Sequence, residues 1–300
     1  MALPHTSYLI CSTPRTGSSL LCDALGGTGV AGRPEEYFQF RARTGEPRRP
    51  REYFEGLEHA ETEEILAILG SRTRDEEDEE RYDPSRFPRY EDYLTWTIDA
   101  ATTPNGVFGA KVMWGYFNGF VTGLRWAIPG RQRLAVGQLV PSVFPNLHYV
   151  WMTRQDKVAQ AVSLWRAIQS WSWSSNQNAG ANTADNLHYS YNAIRHLRSD
   201  IEQHDRDWSE YFELCGVTPH VVVYEQLRTS LPETVTGMLD FLGISTARGV
   251  AIPQLKRRTQ SDDLSSQWAE RFRQESGGRL DEVTGDRHGT RTIRAVADLP

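Results

Sequence analysis

Apolar positions along the chain follow two patterns. Largely apolar runs of strand length stand at Tyr8–Cys11, Val107–Trp114, Leu147–Thr153 and His220–Tyr224, as expected of buried strands. Between them apolar residues recur at helical spacing, over 18–25, 51–70, 90–101, 156–170, 187–214, 232–242 and 264–272. Helices and loops fill 116–146. Strands alternating with helices predict an α/β fold. Two shorter stretches are read from composition: Gly29–Gly32 as a brief second strand ending in a turn, and Glu35–Phe40 as the start of a short helix. Arg41–Pro50, built from Arg, Pro and Gly, reads as a mobile surface loop.

Chemistry concentrates where the first strand meets the first helix. Ser12-Thr13-Pro14-Arg15-Thr16-Gly17 forms a small-residue turn, followed directly by Ser18-Ser19-Leu20-Leu21. Such a turn aims free backbone N–H groups and the positive end of a helix dipole at an anion. Arg15 adds a planar donor fork suited to phosphate or sulfate oxygens. Turns of this kind also occur with nothing bound, so the stretch alone leaves both readings open. No lysine precedes Ser18, so the G-x-x-x-x-G-K-[ST] loop of ATP-binding proteins is absent. Downstream, Pro34-Glu35-Glu36 offers carboxylates for deprotonating a substrate hydroxyl; a helix-start carboxylate is the structural alternative.

Two further cations interrupt apolar runs. Lys111 lies inside the 107–114 strand, where a lysine calls for an anion or carboxylate, or for a stem that snorkels to the sheet edge. Arg154 closes the 147–153 strand, and Ser163 lies in the helix after it. Open α/β sheets bind ligands at the carboxyl ends of their strands, where both Arg15 and Arg154 fall. A surface salt bridge is the other reading of Arg154. Residues 171–185, rich in Ser, Asn and Gly and carrying Trp171 and Trp173, form a loop that either closes over substrate or simply connects. The charged run 74–81 reads as a solvated linker, since it lacks the spacing of a calcium loop.

Bulk properties narrow the function. A net charge of −6 provides no overall basic field, so non-specific nucleic-acid binding is not expected and positive charge for an anion must be local. The 3 cysteines make no disulfide framework and predict reduced, packed thiols of a cytoplasmic protein. The N-terminus has no signal-peptide pattern and no apolar run spans a bilayer, so membrane insertion is not expected. The 8 histidines are scattered without ligand spacing, which leaves a metal unsupported. Residues 1–275 read as a single domain and 276–300 as a loosely ordered tail. The 9 tryptophans would suit a homodimer interface.

At four places, in order, the chain resembles the Stf0 family of sulfotransferases. Ser12-x-x-Arg15-x-Gly17-Ser18-Ser19-Leu20-Leu21 resembles the family's 5′-phosphosulfate loop, and Gly29-Val30-Ala31-Gly32-x-Pro34-x-Glu36-x-Phe38-Gln39 its catalytic segment. Pro104 to Trp114 is similar to its central strand, and Arg154-x-Asp156-x-Val158-x-Gln160-Ala161-Val162-Ser163-x-Trp165-Arg166-Ala167 to its 3′-phosphate segment. The resemblance implies a P-loop-like three-layer fold with a mainly parallel central sheet. It implies 3′-phosphoadenosine-5′-phosphosulfate (PAPS) as donor, the product PAP, and a small-molecule hydroxyl acceptor.

Carried over residue by residue, Ser12, Arg15, Thr16, Gly17, Ser18 and Ser19 would hold the 5′-phosphosulfate. Arg154 and Ser163, with Arg257 and Arg258 of the basic segment 256–258, would hold the 3′-phosphate. Glu36 would be the general base, with Arg15 assisting. Arg33, Glu36, Gln39, Lys111 and Trp114 would face the acceptor. Sulfuryl transfer carries no obligatory need for magnesium, so no metal is implied. One slot departs from the pattern: Arg33 stands where trehalose-sulfating members carry an acid, which favours a different or anionic acceptor. Trehalose-like carbohydrates and other polyhydroxylated or glycosylated products therefore both stay open. A small-molecule kinase on a related scaffold, and a non-catalytic PAP-binding module, are the competing readings.

Overall fold

The computed structural model of the protein describes residues 3–70, 84–170, 173, 187–245 and 263–278. The four apolar runs become β1 (Thr6–Ser12), β2 (Val107–Met113), β3 (Leu147–Thr153) and β4 (His220–Val223). They pair in parallel in the order β2-β1-β3-β4. The chain leaves β1 for one neighbour and crosses back to the other. The C-terminal ends of β1 and β3 thus form a topological switch point, the place where open α/β sheets take their ligands. Ser12 lies in register with both Met113 and Met152, so three strands end at one level.

The helices are α1 (Ser18–Gly26), α2 (His59–Leu69), α3 (Tyr90–Ala101), α4 (Trp114–Ala127), α5 (Val136–Val143), α6 (Lys157–Ser170), α7 (Tyr191–Cys215), α8 (Tyr224–Thr229), α9 (Leu231–Phe241) and α10 (Asp263–Gly278). A 3₁₀ turn spans Pro50–Phe54. Because successive side chains of a strand point to opposite faces, β1 feeds two cores. Leu9 and Cys11 join Phe108, Ala110 and Val112 beneath α3, α4, α5 and α7. Tyr8 and Ile10 join Val150, Met152 and Val222 beneath α1, α8 and α9. Helices, sheet and helices make three layers, as expected. A third core, under α2, α6, α7 and α10, builds a shelf with Trp165 fully buried in it.

Residues 29–40 depart from the sequence reading. Gly29–Gly32 is no strand: Gly29 and Gly32 take φ of +70° and +74°, and the Gly32 N–H donates to Thr103 Oγ1 at 3.1 Å. A Cβ on Gly32 would stand 2.7 Å from the Gly109 nitrogen, so the turn presses against β2 too closely for any side chain. Glu35–Phe40 is not helical either. The Glu35 carbonyl accepts from the Lys111 N–H at 2.9 Å, so this segment instead covers the open edge of β2. The loop 41–50 is tied down by Arg41, which pairs with Glu52 at 3.0 Å and Glu55 at 2.8 Å. The stretch 187–214 yields one long helix, α7, stopped by Gly216 at φ 63°. The acidic run 74–81, residues 171–185 apart from Trp173, the segment Lys256–Arg258 and residues 279–300 lie outside the described residues.

No described helix is long and apolar enough to cross a membrane. Among the described residues no His, Cys, Asp and Glu side chains gather as a metal-binding group.

Candidate active site

The turn between β1 and α1 holds a backbone shape that most residues avoid. Arg15 has φ 66° and Gly17 φ 83°, both left-handed, a conformation that costs a non-glycine residue ~1 kcal/mol or more. Neighbouring side chains compel it. Gln160 of α6 donates to Thr13 Oγ1 at 3.0 Å and to the Pro14 carbonyl at 2.7 Å. Trp208 of α7 donates its indole N–H to the Ser12 carbonyl at 3.0 Å. Asp205, also on α7, accepts from Thr13 at 3.4 Å and Thr153 at 3.3 Å and pairs with Lys157. Gly17 is required for space as well: a Cβ there would meet the Tyr224 ring at 2.4 Å.

The same glycine starts α1 without a side-chain cap, and no acidic residue occupies the first turn. The N–H groups and positive dipole end of α1 therefore open onto the loop, as an anion requires.

Cations converge on this opening. Arg15 donates Nε to Ser163 Oγ at 3.0 Å and Nη1 to the Trp173 carbonyl at 2.5 Å. Arg154 donates Nη1 to the Arg15 carbonyl at 3.4 Å and stacks its guanidinium over Tyr224 at 4.6 Å. Its Nε is buried and finds no acceptor among the described residues. Burial, with the nearby Arg154 and Arg166, lowers the Arg15 guanidinium to about 10, against the pull of Tyr224. Burial lowers Arg154 too, against Tyr224, Asp156 and Glu225. The site thus keeps like charges close together in a poorly solvated place, an arrangement that a polyanion would relieve.

Across the loop, Glu36 and Lys111 form an ion pair at 2.7 Å. The same ammonium donates to Ser19 Oγ at 3.3 Å, linking the carboxylate to the first turn of α1. Burial pulls the Lys111 pKa down, but Glu36, with Cys22 and Asp23, outweighs it and the net shift is upward. Lys111 stays charged, and its partner is a carboxylate rather than solvent at the sheet edge.

Most of the site residues expected from sequence fall together at the strand ends. Ser12 Oγ turns inward to Met113 Sδ at 3.1 Å and Thr16 Oγ1 to the Thr13 carbonyl at 3.1 Å, so both shape the loop from within. Ser18 is buried at the helix start and Ser19 exposed beside it. Trp114 is a buried wall, packed on Phe117 at 5.1 Å and on Trp208 at 4.9 Å. Gln39 lies half-buried in the segment along β2. Arg33 is placed differently: it is exposed, and its guanidinium donates to the Ala100 and Thr102 carbonyls at 3.0 and 3.2 Å. It serves the C-terminal end of α3, where positive charge is favourable. Arg257 and Arg258 lie outside the described residues.

Sequence reasoning missed the braces. Gln160 and Asp205 are buried polar groups on largely apolar helix faces, and that mismatch was the available signal. Arg166, which donates to Ser265, also went unassigned.

A cation-lined strand–loop–helix at a switch point, with a paired carboxylate beside it, describes a group-transfer enzyme of the α/β class. Residues 7–275 match the Stf0 sulphotransferase family, and the chain belongs to that family; it is a sulfotransferase. Trehalose 2-sulfotransferase of Mycobacterium tuberculosis, Erdman strain, is 30% identical over 273 residues, covering 90% of this chain and 95% of the relative. The enzyme of the same name from Mycolicibacterium smegmatis is 32% identical over 274 residues, covering 90% and 96%. Among solved structures, the sulfotransferase domain from the curacin biosynthetic pathway aligns over 99% of this chain and 98% of its own, with a TM-score of 0.46 at 13% identity.

Proposed function

We propose that this sulfotransferase moves the sulfuryl group of PAPS to a hydroxyl of a trehalose-like carbohydrate, or of another polyhydroxylated or glycosylated product, leaving PAP. The observation that carries the donor reading is Arg154, whose buried Nε has no acceptor among the described residues and whose guanidinium adjoins Arg15. A buried N–H of this kind costs ~1–3 kcal/mol unless something accepts from it. A donor with anionic groups at two positions fits the arrangement: loop N–H groups and Arg15 at the 5′-phosphosulfate, Arg154 and Ser163 at the 3′-phosphate. Ser163 already accepts from Arg15 at 3.0 Å, so the two subsites are contiguous.

PAPS supplies an activated sulfuryl group; the protein supplies position and charge, which largely suffice for this kind of transfer. Arg15 and the N-terminus of α1 face the charge that grows on the leaving phosphate oxygen. Glu36 accepts the proton of the attacking hydroxyl, a contribution of ~10²–10⁴-fold for a well-placed base. Lys111 holds that carboxylate in place through the 2.7 Å ion pair. The carbohydrate acceptor is supported by the two relatives named for trehalose. Arg33, occupied at the end of α3, gives no reason to prefer an anionic one. The free thiols Cys11, Cys22 and Cys215 accord with a reducing, cytoplasmic setting.

Incubation with radiolabelled PAPS and a panel of sugars tests the reading. Label is expected on trehalose or another polyol. Consumption of Mg-ATP in place of PAPS would contradict it and favour a kinase. PAP binding with no transfer to any acceptor would reduce the protein to a binding module.

A further inference from the structure

A second polar cluster, gathered around Arg48, has no role so far. Its scaffold is one face of α7, where His196, Asp200, His204 and Trp208 follow at four-residue intervals. Three of them are occupied. His196 contacts the Tyr53 carbonyl at 3.0 Å, and Asp200 lies 3.9 Å from Arg48 and 3.8 Å from His196. Trp208 holds the donor loop and packs on Trp114. His204, between Asp200 and Trp208, is half-buried and makes no hydrogen bond or ion pair among the described residues. Burial lowers its pKa to about 4, with Asp200 opposing and Arg48 assisting. The imidazole is therefore neutral near pH 7, with one nitrogen to donate and one to accept.

Tyr116 reaches the same region from the first turn of α4. Its hydroxyl accepts the Arg48 backbone N–H at 3.0 Å, and its own proton has no acceptor among the described residues. Arg48 is the strut between the two: its guanidinium stacks on Tyr53 at 4.5 Å, donates Nε to the Glu52 carbonyl at 3.1 Å and faces Asp200. Burial raises the pKa of the Tyr116 hydroxyl well above its ordinary value; Tyr53 and Glu36 add to the rise and Arg48 opposes it. The charged groups around this space are already matched, Lys111 with Glu36 and Arg48 with Asp200. What they leave open is neutral hydrogen-bonding capacity.

We infer that Tyr116 and His204 form an acceptor-orienting pair, hydrogen-bonding hydroxyls of a neutral polyol whose reacting hydroxyl faces Glu36. This rests on the transfer reaction proposed above. Neither residue enters the chemical step; both are positioning residues. A neutral phenol and a neutral imidazole select hydroxyls over carboxylate or ammonium groups, because a buried charge without a partner is heavily penalised.

The test is acceptor kinetics with trehalose and its monodeoxy analogues for wild type, Tyr116→Phe, His204→Ala and His204→Gln, with the PAP Kd measured for each. Losing one neutral hydrogen bond should raise the acceptor KM ~3–10-fold, with kcat within about threefold and PAP affinity unchanged. His204→Gln should recover part of the loss. In each variant, discrimination against the one deoxy analogue lacking the contacted hydroxyl should collapse. Unchanged acceptor KM in both Tyr116→Phe and His204→Ala would overturn the inference. So would a wild-type preference for carboxylate-bearing acceptors over neutral polyols, while leaving the donor reading intact. Failure of the wild type to bind PAP or to transfer label to any hydroxyl would remove the donor reading and the pair with it.

Discussion

The two sides of the site handle charge in opposite ways. On the side of the β1–α1 loop, burial first, and then the nearby guanidinium groups of Arg154 and Arg166, lower Arg15 to about 10. On the acceptor side, Lys111 and Glu36 meet at 2.7 Å and each neutralises the other. A gathering of like charges is completed by a ligand, whereas a matched pair is complete beforehand. Under the proposed function, the first arrangement suits an anionic donor, and the second presents a carboxylate already paired to an acceptor that brings no charge. Ser19, bonded to Lys111 in the first turn of α1, is where the two sides touch.

The strongest test of this division is Glu36→Gln. It should lower kcat ~10²–10⁴-fold, read by label transfer, and leave PAP affinity unchanged; a parallel loss of PAP affinity would show that the sides are not separate. Lys111→Met probes the pair itself. With the lysine gone, the largely buried Glu36 loses its ion-pair partner, and breaking a buried pair from one side costs ~3–5 kcal/mol. Urea unfolding should show that loss, and the double variant with Glu36→Gln should recover most of it. Full loss in the double variant would mean that Lys111 stabilises through packing rather than charge.

A smaller effect concerns His204. Its folded pKa of about 4 lies below the ordinary 6.5, so between those values the unfolded chain binds more protons than the folded one. Stability from this group is full above pH 6.5 and declines as pH falls toward 4, with a slope of at most ~1.4 kcal/mol per pH unit. Because His204 is only half-buried, the slope stays below that limit. His204→Gln should flatten the acid side of a stability-versus-pH curve by this difference, and identical curves would show that the histidine titrates normally.

The regular elements were legible because their signals are local. Leu147–Thr153 and the helix over 90–101 coincide with β3 and α3, since burial on both faces writes an unbroken apolar run and burial on one face a helical stripe. Arg15 and Arg154 stood out as arginines just past strand ends, and Glu36 as a carboxylate downstream of the first loop. The segment 29–40 was misread because its shape is set by a distant partner, the edge of β2, and by glycines at positive φ. Lys111 carried two readings until Glu36 was found beside it. The bonds of Arg33 to the C-terminal carbonyls of α3 were not legible, because those carbonyls are remote in sequence. His204 and Tyr116 gave no warning. Helical spacing reveals that α7 has a face, and only the fold shows that the face crosses the donor loop.

Calorimetric titration of PAP and of 5′-AMP, which lacks the 3′-phosphate, tests the donor side most directly. The proteins to compare are wild type, Arg15→Ala and Arg154→Ala. Charge-assisted hydrogen bonds contribute ~1.5–3 kcal/mol each, so both substitutions should weaken PAP ~10–100-fold. Arg15→Ala should weaken 5′-AMP as much as PAP, and Arg154→Ala should leave 5′-AMP nearly untouched and erase the preference for PAP. Equal affinity of the wild type for the two nucleotides, or PAP binding indifferent to Arg154, would contradict a 3′-phosphate subsite at the end of β3.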